Sequence, residues 1–184
     1  FSFTYGEKCE YFSGCTVADI TFFFDVATKG WHERKSSVNN LNVRWRVNSL
    51  VTAYGRVLVG DSEDGRIGEL KRDVYTEYGE NIRRVIATQP FSNQGNSIKV
   101  PMIELTVESG VGNSDEPDPV ISMDISDDGK TFTYERTRSM GKVGEYNRRA
   151  VWYKNGRAPR FRILRFKMSD PVKPVIIKAE ALVA

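Results

Sequence analysis

The sequence predicts an all-β protein, and three observations predict it. Almost no stretch repeats its apolar residues at helical spacing. Short runs rich in Val, Ile, Phe, Tyr, Trp and Thr recur from one end of the chain to the other. The steps between them carry Gly, Asp and Asn, which tolerate the backbone conformations of tight turns.

The elements follow in order. Asp19 to Asp25 is an aromatic β-rich run, Ala27-Thr28-Lys29-Gly30 is a turn, and Trp31-His32-Glu33-Arg34 returns from it. Gly30 can supply the positive φ that closes such a hairpin. Arg44 to Tyr54 alternates around Trp45, Val47 and Val51; Gly55-Arg56 turns it, and Val57-Leu58-Val59 comes back. Asp61 to Arg66 is a second tight turn, leading to Ile67-Gly68-Glu69-Leu70. Val74 to Glu80 is the one plausible helical turn. Strands are then expected over Asn81–Thr88, Ile98–Glu108, Val120–Ile125, Thr131–Arg136, Tyr146–Tyr153, Phe161–Phe166 and Pro174–Val183, with Gly110 to Pro119 as a polar excursion. A strand ending in Asp25, a turn and then Trp31, followed by the hairpin around Gly55, resembles kelch-like β-propeller blades. A partial propeller is therefore expected over residues 1–78, with a further antiparallel β region over 79–184. A β-sandwich, which also gives short, evenly spaced strands, is the alternative. The chain opens Phe1-Ser2-Phe3 with no Met and no signal peptide, and reads as a piece of a longer polypeptide.

Composition narrows the function. With 184 residues, 40% of them hydrophobic, the chain can bury a core without disulfide or metal. Cys9 and Cys15 are its only cysteines and are expected as free thiols. No apolar run reaches the roughly 18 residues of a membrane helix, so no membrane insertion is expected. The net charge of +3 hides an asymmetry: residues 1–132 carry a balance of −6 and residues 133–184 one of +9. From Arg136 to Lys167 eleven Lys and Arg stand against the single acid Glu145, with Tyr146, Trp152, Tyr153, Phe161 and Phe166 between them. Strand alternation splits these charges between two faces, so they cannot form one patch. Arg148, Arg149, Trp152, Tyr153, Arg157, Arg160 and Arg162 are the candidate interaction residues.

Catalysis is not expected. His32, the only histidine, has no Gly-x-Ser-x-Gly elbow to serve. The acid pairs Asp61/Asp64 and Asp127/Asp128 sit in Gly-containing turns, where Asp is favoured for backbone bonding. No cofactor and no metal are expected, and the spacing of an EF-hand is missing around Asp124. The run Ser126-Asp127-Asp128-Gly129-Lys130-Thr131-Phe132 resembles the Asp-box hairpin of sialidases, one residue short and with Phe132 in place of Trp. In that resemblance Asp128, Gly129, Thr131 and Phe132 are structural turn residues.

The carboxy-terminal half carries a longer resemblance. Asp118-Pro119, the Ser126–Phe132 turn, Gly141-Lys142-Val143-Gly144-Glu145-Tyr146-Asn147-Arg148-Arg149, Val151-Trp152-Tyr153-Lys154-Asn155-Gly156-Arg157-Ala158, Arg160-Phe161-Arg162-Ile163 and Ser169-Asp170-Pro171-Val172 follow one another in order. The string, with Tyr54-Gly55-Arg56 and Gly65 to Leu70 before it, resembles the packaged-DNA-stabilisation proteins of short-tailed phages, the tail hub of podovirus virions. It covers roughly residues 20–184. The resemblance implies a carboxy-terminal portion of a structural virion protein, made in the bacterial host cytoplasm. Such a hub closes and extends the portal channel, retains packaged DNA, and takes part in tail assembly and genome ejection. It further implies a ring, a hexamer in that family, whose partners are the portal-adaptor ring, the tail needle, the tailspikes and the double-stranded DNA in the channel. The alternatives are a glycan-binding or glycan-processing propeller fragment and a nucleic-acid-binding β domain.

Overall fold

A computed structural model describes residues 2–5, 20–39 and 41–183. Cys9, Cys15 and Asp19 lie outside the described residues. The chain divides into two compact units, Phe1–Ile82 and Arg83–Ala184, and every described element is a strand or a connection between strands.

In the first unit, β1 (Ser2–Tyr5), β2 (Ile20–Asp25), β3 (Gly30–Val38) and β4 (Leu41–Arg44) form an antiparallel meander. The β2–β3 turn is fixed by Asp25, whose carboxylate accepts the Ala27 N–H at 2.9 Å and the Thr28 hydroxyl at 2.7 Å. Across that hairpin Phe24 packs on Trp31 and Phe23 stacks on His32. A second meander joins β5 (Val47–Ala53), β6 (Arg56–Asp61) and β7 (Ile67–Glu69). Its first turn is Tyr54-Gly55, with φ of 54° and 72°, one residue earlier than the sequence suggested. Positive φ at both central positions matches the twist of paired strands. The same device at Tyr78-Gly79, φ 50° and 89°, joins β8 (Thr76–Glu77) to β9 (Glu80–Asn81). Val74 to Glu80, the one place where a helical turn was plausible, instead carries a minimal β-ribbon.

A four-stranded meander has the strand count of one propeller blade, but the next sheet has three strands and nothing closes a ring among the described residues. The first unit is held together by charge. Arg46 and Asp61, both buried, pair at 2.8 Å; Arg46 also reaches Asp64 at 3.0 Å, and its guanidinium faces the Tyr78 ring. Asp61 and Asp64 also accept turn N–H groups from Glu63 and Arg66.

The second unit is a β-sandwich, the arrangement anticipated as the alternative. One sheet runs in the order β10 (Arg84–Ala87), β18 (Phe161–Met168), β14 (Val120–Ser126), β15 (Arg136–Ser139), with β11 (Phe91–Ser92) beside β18. The other runs β16 (Ala150–Tyr153), β13 (Met102–Val107), β19 (Ile176–Leu182). A ribbon of β12 (Ile98–Lys99) and β17 (Arg157–Ala158) extends the pairing of β13 with β16. Alternation selects the core. Ile103, Leu105 and Val107 from β13 and Trp152 from β16 meet Ile121, Met123 and Ile125 from β14 and Leu164, Phe166 and Met168 from β18. The Trp152 and Phe166 rings lie 5.8 Å apart.

The opposite face of β14 is also buried, and it is polar: Ser122, Asp124 and Ser126. Asp124 lies directly across from Arg165 and bonds it at 2.6 Å; the Lys167 ammonium donates to Asp124 at 2.7 Å and to Glu135 at 2.5 Å. The cover over this layer comes from residues 131–135. Thr133 trades hydrogen bonds with Ile125, and the Arg165 guanidinium lies 3.5 Å from the Phe132 ring centroid. The strand expected over Thr131–Arg136 therefore starts only at Arg136, because its first residues fold across the sheet instead of extending it. Phe132 stacks under a cation on this outer face and does not enter the core.

Asp124 carries the test of this layer. Burial pushes its carboxyl upward, but the hydrogen bonds from Arg165 and Lys167 outweigh burial and hold it below the ordinary value. A depressed carboxyl stabilises the fold fully above its unfolded pKa, about 3.9, and loses that contribution as pH falls through the lower folded value. Asp124→Ala leaves two cations without their shared anion. The expected loss is about 3 kcal/mol, the lower end for a broken buried pair because Arg165 keeps some water. The variant should also lose part of the wild-type destabilisation between pH 4 and the folded pKa, as measured by urea denaturation across that range. A melt unchanged from wild type would contradict the account.

Candidate interaction surface

The cations of the second unit sort into two classes. Those on the central strand are spent internally. Arg162, 3% exposed, donates two hydrogen bonds to Asp127, at 2.7 and 2.9 Å, and one to the Asn155 carbonyl at 2.7 Å. Arg165 and Lys167 hold Asp124. On the other sheet Arg149 grips Glu104 with both ends of its fork and holds that carboxyl below its ordinary value. Trp152 is fully buried, and its indole N–H donates to the Arg136 carbonyl at 2.7 Å. Trp152 and Arg162 are thus withdrawn from the surface where the sequence had put them among the interaction residues.

The remaining candidates, Arg148, Tyr153, Arg157 and Arg160, are exposed. Arg148, Arg157 and Arg160 have no carboxylate within ion-pair distance among the described residues. Other exposed cations of this unit, Lys130 and Lys142 among them, share that condition, and so do Lys99 on β12 and Lys154 beyond the end of β16, which were not singled out from the sequence. The Asn155-Gly156 step after Lys154 was the available signal, because such a step between two strand segments marks a turn or bulge.

The motif that carried the family resemblance is occupied by architecture. In Gly141–Tyr146 the Glu145 N–H donates to the Lys142 carbonyl at 2.8 Å, and the Glu145 carboxylate accepts the Lys142 N–H at 3.1 Å. Gly141 has φ 96°, and a Cβ there would stand 2.7 Å from the Glu145 carbonyl oxygen. The Tyr146 carbonyl accepts the Ser109 hydroxyl at 2.6 Å. In the Ser126–Thr131 turn Asp128 accepts the N–H groups of Lys130 and Thr131 and the hydroxyls of Ser126 and Thr131, which hold its carboxyl far below the usual range. Gly129, φ 76°, donates to the Ser126 hydroxyl oxygen.

What the arrangement offers is a rigid sandwich carrying exposed cations and tyrosines at its margins. A family model described as Bacteriophage P22 Gp10, beta-sandwich, matches residues 83–184, and the chain belongs to that family. No curated protein matches the chain.

The two classes of cation are separable by mutation. Arg162→Ala leaves Asp127 and a buried carbonyl without their donor and should cost about 3 kcal/mol. Arg148→Ala and Arg160→Ala, on exposed positions without carboxylate partners, should stay within about 0.5 kcal/mol of wild type. Urea denaturation of the three variants measures both. Equal losses would show that the surface cations also hold the fold.

Proposed function

We propose, from that membership, that this protein is a structural component of a short-tailed phage tail hub. The observation that carries the reading is the family match across the whole second unit, residues 83–184. In this reading the protein closes and extends the portal channel, helps to retain packaged DNA, and takes part in tail assembly and genome ejection. It works in a ring, six-fold by family resemblance, against the portal-adaptor ring, the tail needle and the tailspikes, in the virion tail.

The chemistry of the surface supports assembly over catalysis. The acid pair Asp127/Asp128 is committed to Arg162 and to the turn, and Asp61/Asp64 to Arg46 and Arg66. Exposed arginines and tyrosines on a rigid scaffold are the residue types enriched in protein interfaces. The cations left outward are also too scattered for base-specific reading, which needs several side chains on one element aimed at one groove.

Charge reversal tests the reading. Arg148→Glu with Arg160→Glu alters two side chains that no described carboxylate engages. The double variant should melt as wild type does and enter tails assembled in vitro several-fold less well. Its DNA affinity should change only by the salt-screened share expected from two lost cations. Normal incorporation with most DNA binding lost would replace the assembly reading with a channel-lining one.

A further inference from the structure

Two local costs coincide at one place on the sandwich. Between the pairs Met102↔Tyr153 and Lys99↔Arg157, the two residues Val100 and Pro101 face the three residues Lys154, Asn155 and Gly156. The ladder survives this bulge, since the Lys154 N–H donates to the Pro101 carbonyl at 2.9 Å and the Val100 N–H to the Gly156 carbonyl at 3.0 Å. The backbone takes the strain. Lys154 has φ 56° and Gly156 φ 74°, and a side-chain-bearing residue in the left-handed region costs about 1–2 kcal/mol. The second cost is electrostatic. Lys99 and Arg157 are directly opposite, with their buried neighbours Ile98 and Ala158 pointing inward and both cations outward. Like charges directly opposite destabilise a sheet. Among the described residues no carboxylate lies within ion-pair distance of Lys99, Lys154 or Arg157.

The place is also shaped. Lys99, Pro101, Tyr153, Lys154 and Gly156 line one open, shallow and mainly apolar depression. Between the lining residues Lys154 and Gly156, the chain is anchored by Asn155, which is buried. The Asn155 amide donates to the Trp152 carbonyl at 2.8 Å, its side-chain oxygen accepts Arg136 at 2.5 Å, and its carbonyl accepts Arg162 at 2.7 Å. The bulge therefore fixes the backbone from which Lys154 projects before any partner arrives, and pre-organisation of this kind lowers the cost of binding.

We propose that this depression docks an acidic peptide segment of a partner protein. A carboxylate sits among Lys99, Lys154 and Arg157, and an adjoining apolar side chain lies against Pro101 and the Tyr153 ring. A nucleic-acid strand fits less well, because it needs a row of cations tracking successive phosphates. The cations that would extend the row are turned away: Arg136 donates to the Tyr153 carbonyl and Asn155, and Arg138 to the carbonyls of Val151 and Thr137. The inference rests on the tail-assembly reading only for the class of partner, a protein, since the site itself is defined by charge and shape.

The test uses the whole 184-residue chain and a synthetic probe. A Glu-Glu-Phe-Glu-Glu peptide, its Gln-Gln-Phe-Gln-Gln counterpart and a thymidine oligonucleotide of equal charge are titrated at low and high salt, following backbone amide shifts. The Glu peptide should move the amides of Lys99, Lys154, Gly156 and Arg157 and bind about tenfold more tightly than the Gln peptide at low salt, a difference that electrostatic pairing can supply. Two variants give a signature that a structural role would not. Lys154→Gly relieves the positive φ, and Lys99→Glu places a carboxylate opposite Arg157, so both should raise the melting temperature while losing the preference for the Glu peptide. Equal affinity for the two peptides, shifts elsewhere on the sandwich, tighter binding of the oligonucleotide, or variants that melt below wild type would each overturn the proposal. Failure here leaves the incorporation defect of the Arg148 and Arg160 variant untouched, so the two readings fail separately.

Discussion

The buried carboxylate of Asp124 is the constraint on which the second unit depends. Strand β18 lies inside its sheet, with core on one side and a covered polar layer on the other. A strand in that position would ordinarily read as a near-continuous apolar run. Here the outer side, every second residue of the strand, runs from two partly buried apolar residues, Phe161 and Ile163, into two cations, Arg165 and Lys167. Two positive charges can be covered only if an anion is covered with them. Asp124 is directly across the ladder from Arg165, and it accepts from Lys167 as well. The segment 131–135 can then close over the layer, bringing Glu135 as the second acceptor and Phe132 as the ring beneath Arg165.

That arrangement explains why the cations of β18 add little to the basic surface. From Arg136 to Lys167 the charges divide into those that neutralise acids, those that cap carbonyls and those left outward. Arg149, Arg162, Arg165 and Lys167 belong to the first kind. Arg136 and Arg138 belong to the second. They lie on β15, the edge of one sheet, and donate to Tyr153 and Val151 carbonyls on β16, the edge of the other. With the Trp152 indole bonded back to the Arg136 carbonyl, these bonds stitch one side of the sandwich shut. An open edge there would expose unpaired carbonyls to other chains.

The sequence made the all-β class and most strand positions readable, because alternation over β13, β14 and β18 is a local pattern. It could not settle sandwich against partial propeller. That choice lies in which sheets face each other, and the hairpins of the two architectures look alike one at a time. The Val74–Glu80 ribbon was missed because two-residue strands carry no period, and only Tyr78-Gly79 marks its turn. The split of cations between two faces followed from alternation. Which individual cations were free did not, since Asp124, Asp127 and Glu104 are distant in sequence from the residues they hold. Trp152 looked like an interface aromatic for the same reason: its partners Phe166, Ile103 and Met123 come from other strands.

The division of labour between Asn155 and its neighbours shows how fold and surface are coupled in this unit. A regular ladder between β12–β13 and β16–β17 would carry Lys99 and Arg157 outward as they are now, but it would leave Lys154 on the alternating pattern of β16. One extra residue breaks that pattern. The break is accommodated by Asn155, which is buried and bonds Arg136, Arg162 and the Trp152 carbonyl. Arg162 in turn reaches Asp127, within the Ser126–Thr131 turn, so the bulge and the turn brace each other through one guanidinium. The buried polar groups that fix the sandwich are therefore the same groups that hold Lys154 in its strained, outward position.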